Sequence, residues 1–210
     1  MDPVQPAIED YMRSLLDRYD EPVLVEMERE ASDRGFPIIE RLCGVTIELL
    51  ARSVGARRVF ELGSGYGYSA YWFARAVGAG GEVHCTDGDP ANEQKAEGYL
   101  ARAGVWDRVR WHVGDAVANL AAVDGEFDVV YNDIDKDGYP DAWRAASGRV
   151  RVGGLYLCDN VLWSGRILED RPDETSQAIL EHNRLIADDE RFVSSIVPTR
   201  DGVMVALRVA

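Results

Sequence analysis

R-V-F-E-L-G-S-G-Y-G-Y-S, residues Arg58 to Ser69, is the stretch on which the reading of this chain turns. A short apolar run, Val59, Phe60 and Leu62, leads into three glycines spaced two apart, Gly63, Gly65 and Gly67. From Tyr68 the chain continues through Ala70, Tyr71, Trp72, Phe73 and Ala74, which reads as the start of a helix. Strand, glycine turn and helix, in that order, present backbone N–H groups to a ligand at the carboxyl end of a strand in an open α/β sheet. Glycines remove Cβ atoms where the chain turns tightly and where a ligand approaches the backbone. A dinucleotide fingerprint needs G-x-G-x-x-G, but Tyr68 stands three residues after Gly65. The pattern is instead E-x-G-x-G-x-G, beginning at Glu61.

Outward from this turn, strands and helices alternate. Strand 58–62 feeds helix 67–77, and strand 82–86 feeds helix 90–103, with Pro90 in its first turn. Strand 108–113 leads to a short helix near 116–122, strand 127–131 to a helix over 138–149, and strand 154–158 to a loop and a helix over 173–188. Two closing strands, 191–197 and 203–209, flank Asp201-Gly202, a hairpin signal. The pattern predicts an α/β fold: a doubly wound, mostly parallel, Rossmann-like seven-stranded sheet with a C-terminal antiparallel hairpin strand. Before it, residues 4–19, 22–34 and 40–54 read as three amphipathic helices. They form an N-terminal cap over one sheet edge, lining a substrate pocket or a dimer contact, or else a plain packing layer. The expected organisation is a single domain over 1–210, with cap helices over 1–54 and the α/β core over 58–210.

Composition narrows the partners. The chain of 210 residues is 46% hydrophobic and 29% charged, with no apolar run long enough for a membrane span. Its N-terminus lacks the basic start and apolar core of a secretory signal, so a cytoplasmic location is expected. A net charge of −14 argues against a nucleic-acid partner, because phosphate contacts draw on clustered Lys and Arg. Cys43, Cys85 and Cys158 are widely spaced, and His84, His112 and His182 show no metal-ligand spacing.

The strand ends carry the chemistry. Asp87 ends the second strand, where a carboxylate can accept ribose hydroxyls of a nucleoside cofactor; Asp89 reads as a cap for the helix that Pro90 begins. After the third strand, Gly114-Asp115-Ala116 falls where an adenine ring would lie, and Asp115 either takes its amino group or caps the short helix. The fourth strand ends Y-N-D-I-D-K-D-G-Y and the fifth C-D-N-V-L-W-S-G. Asp133, Asp159 and Asn160 therefore arrive at neighbouring strand ends, and three oxygen donors without His or Cys describe a hard-cation site. Singly, each could be a turn former. Of 23 basic residues only Lys95 and Lys136 are Lys, and Lys136 stands among carboxylates. Lys can give up its proton where Arg cannot, as a general base must, but carboxylates alone would raise its pKa, so the role needs a cation. The alternative is a solvated loop Lys paired with Asp137.

Here the resemblance becomes specific. V-F-E-L-G-S-G-Y-G-Y-S-A, D-G-D-P, G-D-A, D-I-D-K-D-G-Y, R-V-G-G, D-N-V-L-W-S-G-R-I and the closing P-T-R-D-G-V-M-V-A occur in order over residues 40–210. They resemble the cation-dependent O-methyltransferases of the caffeoyl-CoA and catechol type, a class I S-adenosylmethionine-dependent family. The resemblance implies that Glu61, Gly63, Gly65, Tyr66, Ser69, Asp87, Gly114, Asp115, Ala116 and Asp133 form the cofactor site. It implies that Asp133, Asp159 and Asn160 hold Mg²⁺ or a similar ion and that Lys136, beside Asp133, is the catalytic base. Trp163, Tyr139 and Trp143 are candidates to stack on a small aromatic hydroxyl substrate. A homodimer is also implied. Two departures stand out. Asn132 replaces an apolar residue, and the carboxylate that the catechol branch carries near the position of Pro198 is absent, which points to the caffeoyl-CoA-like and bacterial branch. A different reading is a non-catalytic S-adenosylmethionine-binding sensor or scaffold.

Overall fold

The computed structural model describes residues 5–210. In chain order it contains α1 (Pro6–Ser14), α2 (Pro22–Arg34), α3 (Glu40–Ser53), β1 (Arg58–Leu62), α4 (Tyr68–Val77), β2 (Glu82–Asp87), α5 (Pro90–Arg102) and β3 (Val109–Val113). These are followed by α6 (Ala116–Ala122), β4 (Phe127–Asn132), α7 (Tyr139–Ala146), β5 (Val150–Cys158), α8 (Glu174–Ala187), β6 (Phe192–Val197) and β7 (Val203–Arg208). The strands form one seven-stranded sheet in the order β3-β2-β1-β4-β5-β7-β6. Neighbours from β3 to β5 pair in parallel, while β7 inserts antiparallel between β5 and β6. The expected doubly wound sheet is thus observed. Strand order reverses between β1 and β4, so the loops leaving these two strands diverge and leave a crevice at their carboxyl ends.

Burial explains the apolar runs. Side chains alternate across each strand: Val59 faces one helical layer, Phe60 and Leu62 the other. The first layer joins β1, β4 and β5 to α4 and α5 through Phe73, Ala74, Ala96 and Leu100, and the second joins them to α6, α7 and α8 through Leu120, Trp143 and Ile179. Of the N-terminal helices, α2 and α3 act as a packing layer, one of the alternatives the sequence left open, and their link lines the crevice, while α1 buries none of its residues. Leu24, Met27, Cys43, Ile47 and Ala51 belong to the first layer itself, in the same cluster as Tyr131, Leu157 and Val203. Local differences have local causes. The helix expected over 4–19 ends at Ser14 and resumes as a 3₁₀ turn, Asp17–Tyr19; residue 4 lies outside the described residues. β5 begins four residues earlier than its apolar run, carrying Gly153 at φ 78° within it. The Asp201-Gly202 signal belongs to a five-residue loop over 198–202, not to a two-residue turn. Asp89 caps α5 by accepting from the Ala91 N–H at 2.9 Å, as the sequence implied. No helix among the described residues is long and apolar enough to cross a membrane.

His182, on α8, gives the second layer a pH dependence. It is fully buried, with Nε2 3.0 Å from the Tyr156 hydroxyl, and burial lowers its pKa from 6.5 to about 4. The unfolded chain therefore binds this proton first, and stability falls as pH drops from 6.5 towards 4. The full effect is about 3 kcal/mol. Urea unfolding at pH 7.5 and 4.5 should show a loss that His182→Gln reduces; an unchanged loss in the variant would remove His182 from the account.

Candidate active site

The crevice is a cavity of about 550 Å³ at the carboxyl ends of the strands. Its floor is the turn after β1. Glu61 and Thr86 hold that turn from below: the Ser64 hydroxyl donates to Glu61 Oε2 at 2.6 Å, and the Ser64 N–H donates to the Thr86 carbonyl at 2.8 Å. The Gly63 N–H points at Thr86 Oγ1, 3.2 Å away. Gly63 itself has φ 82°, and a Cβ there would lie 2.6 Å from the Asp133 carbonyl oxygen. The loop after β4 can pass this close to the turn only because the side chain is absent.

Gly63, Gly65, Tyr66, Ser69, Asp87, Gly114, Asp115, Ala116 and Asp133 all line this one cavity. Glu61 does not. It is fully buried beneath the turn, and burial pushes its carboxyl up to about 7, so it orders Ser64 and has no surface for a cofactor. Asp87 Oδ1 accepts from the Asp89 N–H at 2.8 Å and from Asn92 Nδ2 at 2.9 Å. That fixes the carboxylate and leaves Oδ2 without a partner among the described residues. Asp115 accepts from the Ala118 N–H at 2.7 Å and so caps α6 while lining the cavity.

The acidic corner lies beside the turn. Asp133, Lys136, Asp159 and Asn160 line the same cavity. The Asp133 N–H donates to the Leu62 carbonyl at 2.9 Å and the Asp159 N–H to the Asn132 carbonyl at 3.1 Å, which ties three strand ends together. Asp159 is 1% exposed, and its Oδ1 has no hydrogen-bond partner among the described residues. Burial pushes its carboxyl up to about 7, and the charge of Asp133 adds to the shift. Burial also raises Asp133, outweighing the opposing pull of Lys136. Lys136 Nζ donates to Asp133 Oδ1 at 3.0 Å and to the Ile134 carbonyl at 3.3 Å. It does not pair with Asp137, which accepts from the Thr175 hydroxyl at 2.9 Å.

The aromatic candidates lie elsewhere. Tyr139 is fully buried, and its hydroxyl donates to the Asp159 carbonyl at 2.9 Å, bracing the loop after β5 from the core. Trp143 packs edge-on against Tyr156 and Phe192, and Trp163 packs against the second core layer. None of the three lines the cavity, so the expected stacking is corrected. Phe36, Pro37, Ile38 and Ile39, from the link between α2 and α3, supply its apolar wall instead. Asn132 is buried, donating through Nδ2 to Cys158 Sγ at 3.3 Å. Arg200 also went unassigned in the sequence. It lies 3.5 Å from Asp159 Oδ2 and 3.4 Å from Glu40 Oε1.

The O-methyltransferase family model matches residues 17–209. This chain belongs to the class I S-adenosylmethionine-dependent O-methyltransferase family. A probable O-methyltransferase of Mycobacterium tuberculosis is 30% identical over 189 residues, covering 89% of this chain and 84% of that protein. A catechol O-methyltransferase of Niastella koreensis is 29% identical over 174 residues, covering 80% and 78%. Among solved structures, the O-methyltransferase TomG of Streptomyces achromogenes, in complex with S-adenosylmethionine, aligns with a TM-score of 0.88 at 28% identity, covering 97% of this chain and 96% of that one. An O-methyltransferase from Bacillus cereus in complex with S-adenosylhomocysteine aligns at 0.87 and 26%, covering 96% and 97%.

Proposed function

We propose that this enzyme moves a methyl group from S-adenosylmethionine to a hydroxyl of a small aromatic with vicinal oxygens, using a divalent cation at the acidic corner. The observation that carries the reading is Asp159, a buried carboxylate whose Oδ1 lacks a partner and which shares a cavity with Asp133, Asn160 and the glycine turn. A buried carboxylate oxygen left without a partner is costly, and a hard cation with oxygen ligands would satisfy it beside the long contact of Oδ2 to Arg200. Asp133, Asp159 and Asn160 would hold such a cation, with water and substrate oxygens completing the shell.

The residues divide the work. Backbone N–H groups of the turn and the free Oδ2 of Asp87 bind the cofactor, the latter at the ribose. The wall from Phe36 to Ile39 excludes water from the reacting side. A bound divalent cation supplies positive charge that acidifies a coordinated hydroxyl and offsets the carboxylates around Lys136. Lys136 Nζ, held at the lip of the corner by Asp133 and Ile134, would receive the hydroxyl proton as the neutral amine, having first released its own proton to solvent once the carboxylates around it are offset. Holding acceptor and donor at adjoining strand ends lowers the entropic part of the barrier.

The test is a methyl-transfer screen of catechols, flavonoids and hydroxycinnamoyl-CoA esters, with and without EDTA. Turnover is expected with Mg²⁺ and should fall roughly a hundredfold or more after chelation. Full-rate methylation by chelated enzyme would dismiss the cation, and cofactor binding with no turnover across the panel would favour the non-catalytic reading.

A further inference from the structure

Arg200 stands where two cavities meet. The first, described above, is lined by five aspartates against one lysine and one arginine. The second, about 640 Å³, opens beneath α1 and the α2–α3 link, and the charged groups lining it are three arginines (Arg13, Arg41 and Arg200) against two glutamates (Glu28 and Glu40). In a chain of net charge −14 this is a local reversal of sign. Phe36, Pro37, Ile38 and Arg200 line both cavities, and Arg200 is the charged member of that shared set.

The three arginines are not equivalent. Arg13 is bound to Glu9 at 2.6 Å and, more tightly, to Glu40. Arg41 is bound to Glu28 at 2.8 Å and, more tightly, to Asp20. Arg200 has only the two long contacts to Glu40 and Asp159, at 3.4 and 3.5 Å, and makes no hydrogen bond among the described residues. A charge-assisted N–H···O bond is ordinarily 2.7–2.9 Å. Yet the Arg200 side chain is only 20% exposed, so five donors have left bulk water without close acceptors. Glu40 is already held closely by Arg13, and Asp159 faces Arg200 only at 3.5 Å, which leaves Arg200 as the arginine at the junction without a close acceptor. The loop holds it there: Arg200 takes φ 51° and its neighbour Thr199 is buried.

We propose that the methyl acceptor carries a carboxylate, which the Arg200 guanidinium receives at the junction while the vicinal oxygens lie at the acidic corner. This rests on the function proposed above and names its substrate class. The planar fork of a guanidinium matches two carboxylate oxygens, and a partly desolvated fork without close partners gains most from such a ligand. Arg200 is thereby a specificity-determining residue.

The experiment compares each acid with its own methyl ester, which keeps the shape and removes the charge. 3,4-Dihydroxybenzoate and 3,4-dihydroxycinnamate, and the methyl ester of each, are assayed with wild type, Arg200→Met and Arg200→Lys. In wild type kcat/KM for one acid at least should exceed that of its ester about tenfold or more, chiefly through KM. The ratio should fall to about one in Arg200→Met and lie between in Arg200→Lys. Because the ratio is read within each variant, a general loss of folding or activity does not move it. Equal use of acid and ester by wild type, or a preference that survives in Arg200→Met, overturns the proposal. Should wild type methylate none of the four, the wider screen above decides the proposed function, and calorimetric binding of the two acids still decides this point. Tenfold weaker binding to Arg200→Met supports it, while no binding to wild type, or equal binding to both, ends it.

Discussion

Asp159→Ala is expected to lower kcat/KM for methyl transfer by about 10³-fold or more, while S-adenosylhomocysteine binding stays within about threefold of wild type. The separation follows from how the residue is held. Its backbone is fixed by the Asp159 N–H to the Asn132 carbonyl and by the Tyr139 hydroxyl donating to the Asp159 carbonyl. Neither bond uses the carboxylate, so truncation leaves the loop in place. The side chain contacts Arg200 at 3.5 Å and otherwise faces the cavity with an unpartnered oxygen. On the proposed function, what is lost is therefore a ligand to the cation, not a brace. Nor should the metal-free fold suffer, because a carboxyl pushed up to about 7 by burial and by Asp133 is a destabilising charge at neutral pH. Thermal melting without metal should place the variant at or above wild type. Kinetics with saturating Mg²⁺ and calorimetric titration of S-adenosylhomocysteine separate the roles. Wild-type turnover in the variant, or equal loss of both functions, would remove Asp159 from the cation site.

Much of this arrangement was legible because burial and backbone geometry leave signatures in residue type. β1 is covered on both faces, which demands an apolar run, and the turn after it passes within contact of Asp133, which demands glycine. Asp133 and Asp159 follow such runs, so their place at the strand ends could be counted. What could not be counted depends on long-range packing. An aromatic residue beside an acidic strand-end loop reads the same whether it faces a cavity or the core, and Tyr139 faces the core, where its hydroxyl closes onto the Asp159 carbonyl. Glu61 alternates with Val59 and so points into the first layer, but the sequence does not say whether a cofactor or a serine meets it there. Phe36 to Ile39 reach the cavity only because α2 and α3 join the first layer. Arg200 was hidden by its neighbours: Asp201-Gly202 signals a tight hairpin, whereas the longer loop swings the arginine inward.

Gly63→Ala should nearly abolish cofactor binding, weakening S-adenosylhomocysteine by about a hundredfold or more, and should destabilise the fold by about 3 kcal/mol. Two effects add at this position. The first is the left-handed conformation, φ 82°, which a side chain disfavours by about 1 kcal/mol or somewhat more. The second is steric: the new Cβ would lie 2.6 Å from the Asp133 carbonyl oxygen, 2.9 Å from its carbon and 3.1 Å from the Ile134 nitrogen. These are backbone atoms just beyond the paired ends of β1 and β4, and no rotamer change relieves them. Either the turn lifts away from β4 or the loop carrying Asp133 moves, and in both cases the cradle opens. Gly55 supplies the control. It has a similar φ of 64°, but a Cβ there meets nothing within 4 Å, so Gly55→Ala isolates the conformational part. Urea unfolding should show Gly55→Ala losing about 1 kcal/mol with cofactor affinity intact. If Gly63→Ala loses no more stability than Gly55→Ala and still binds S-adenosylhomocysteine normally, the close approach of turn and Asp133 loop is not what shapes the cofactor site.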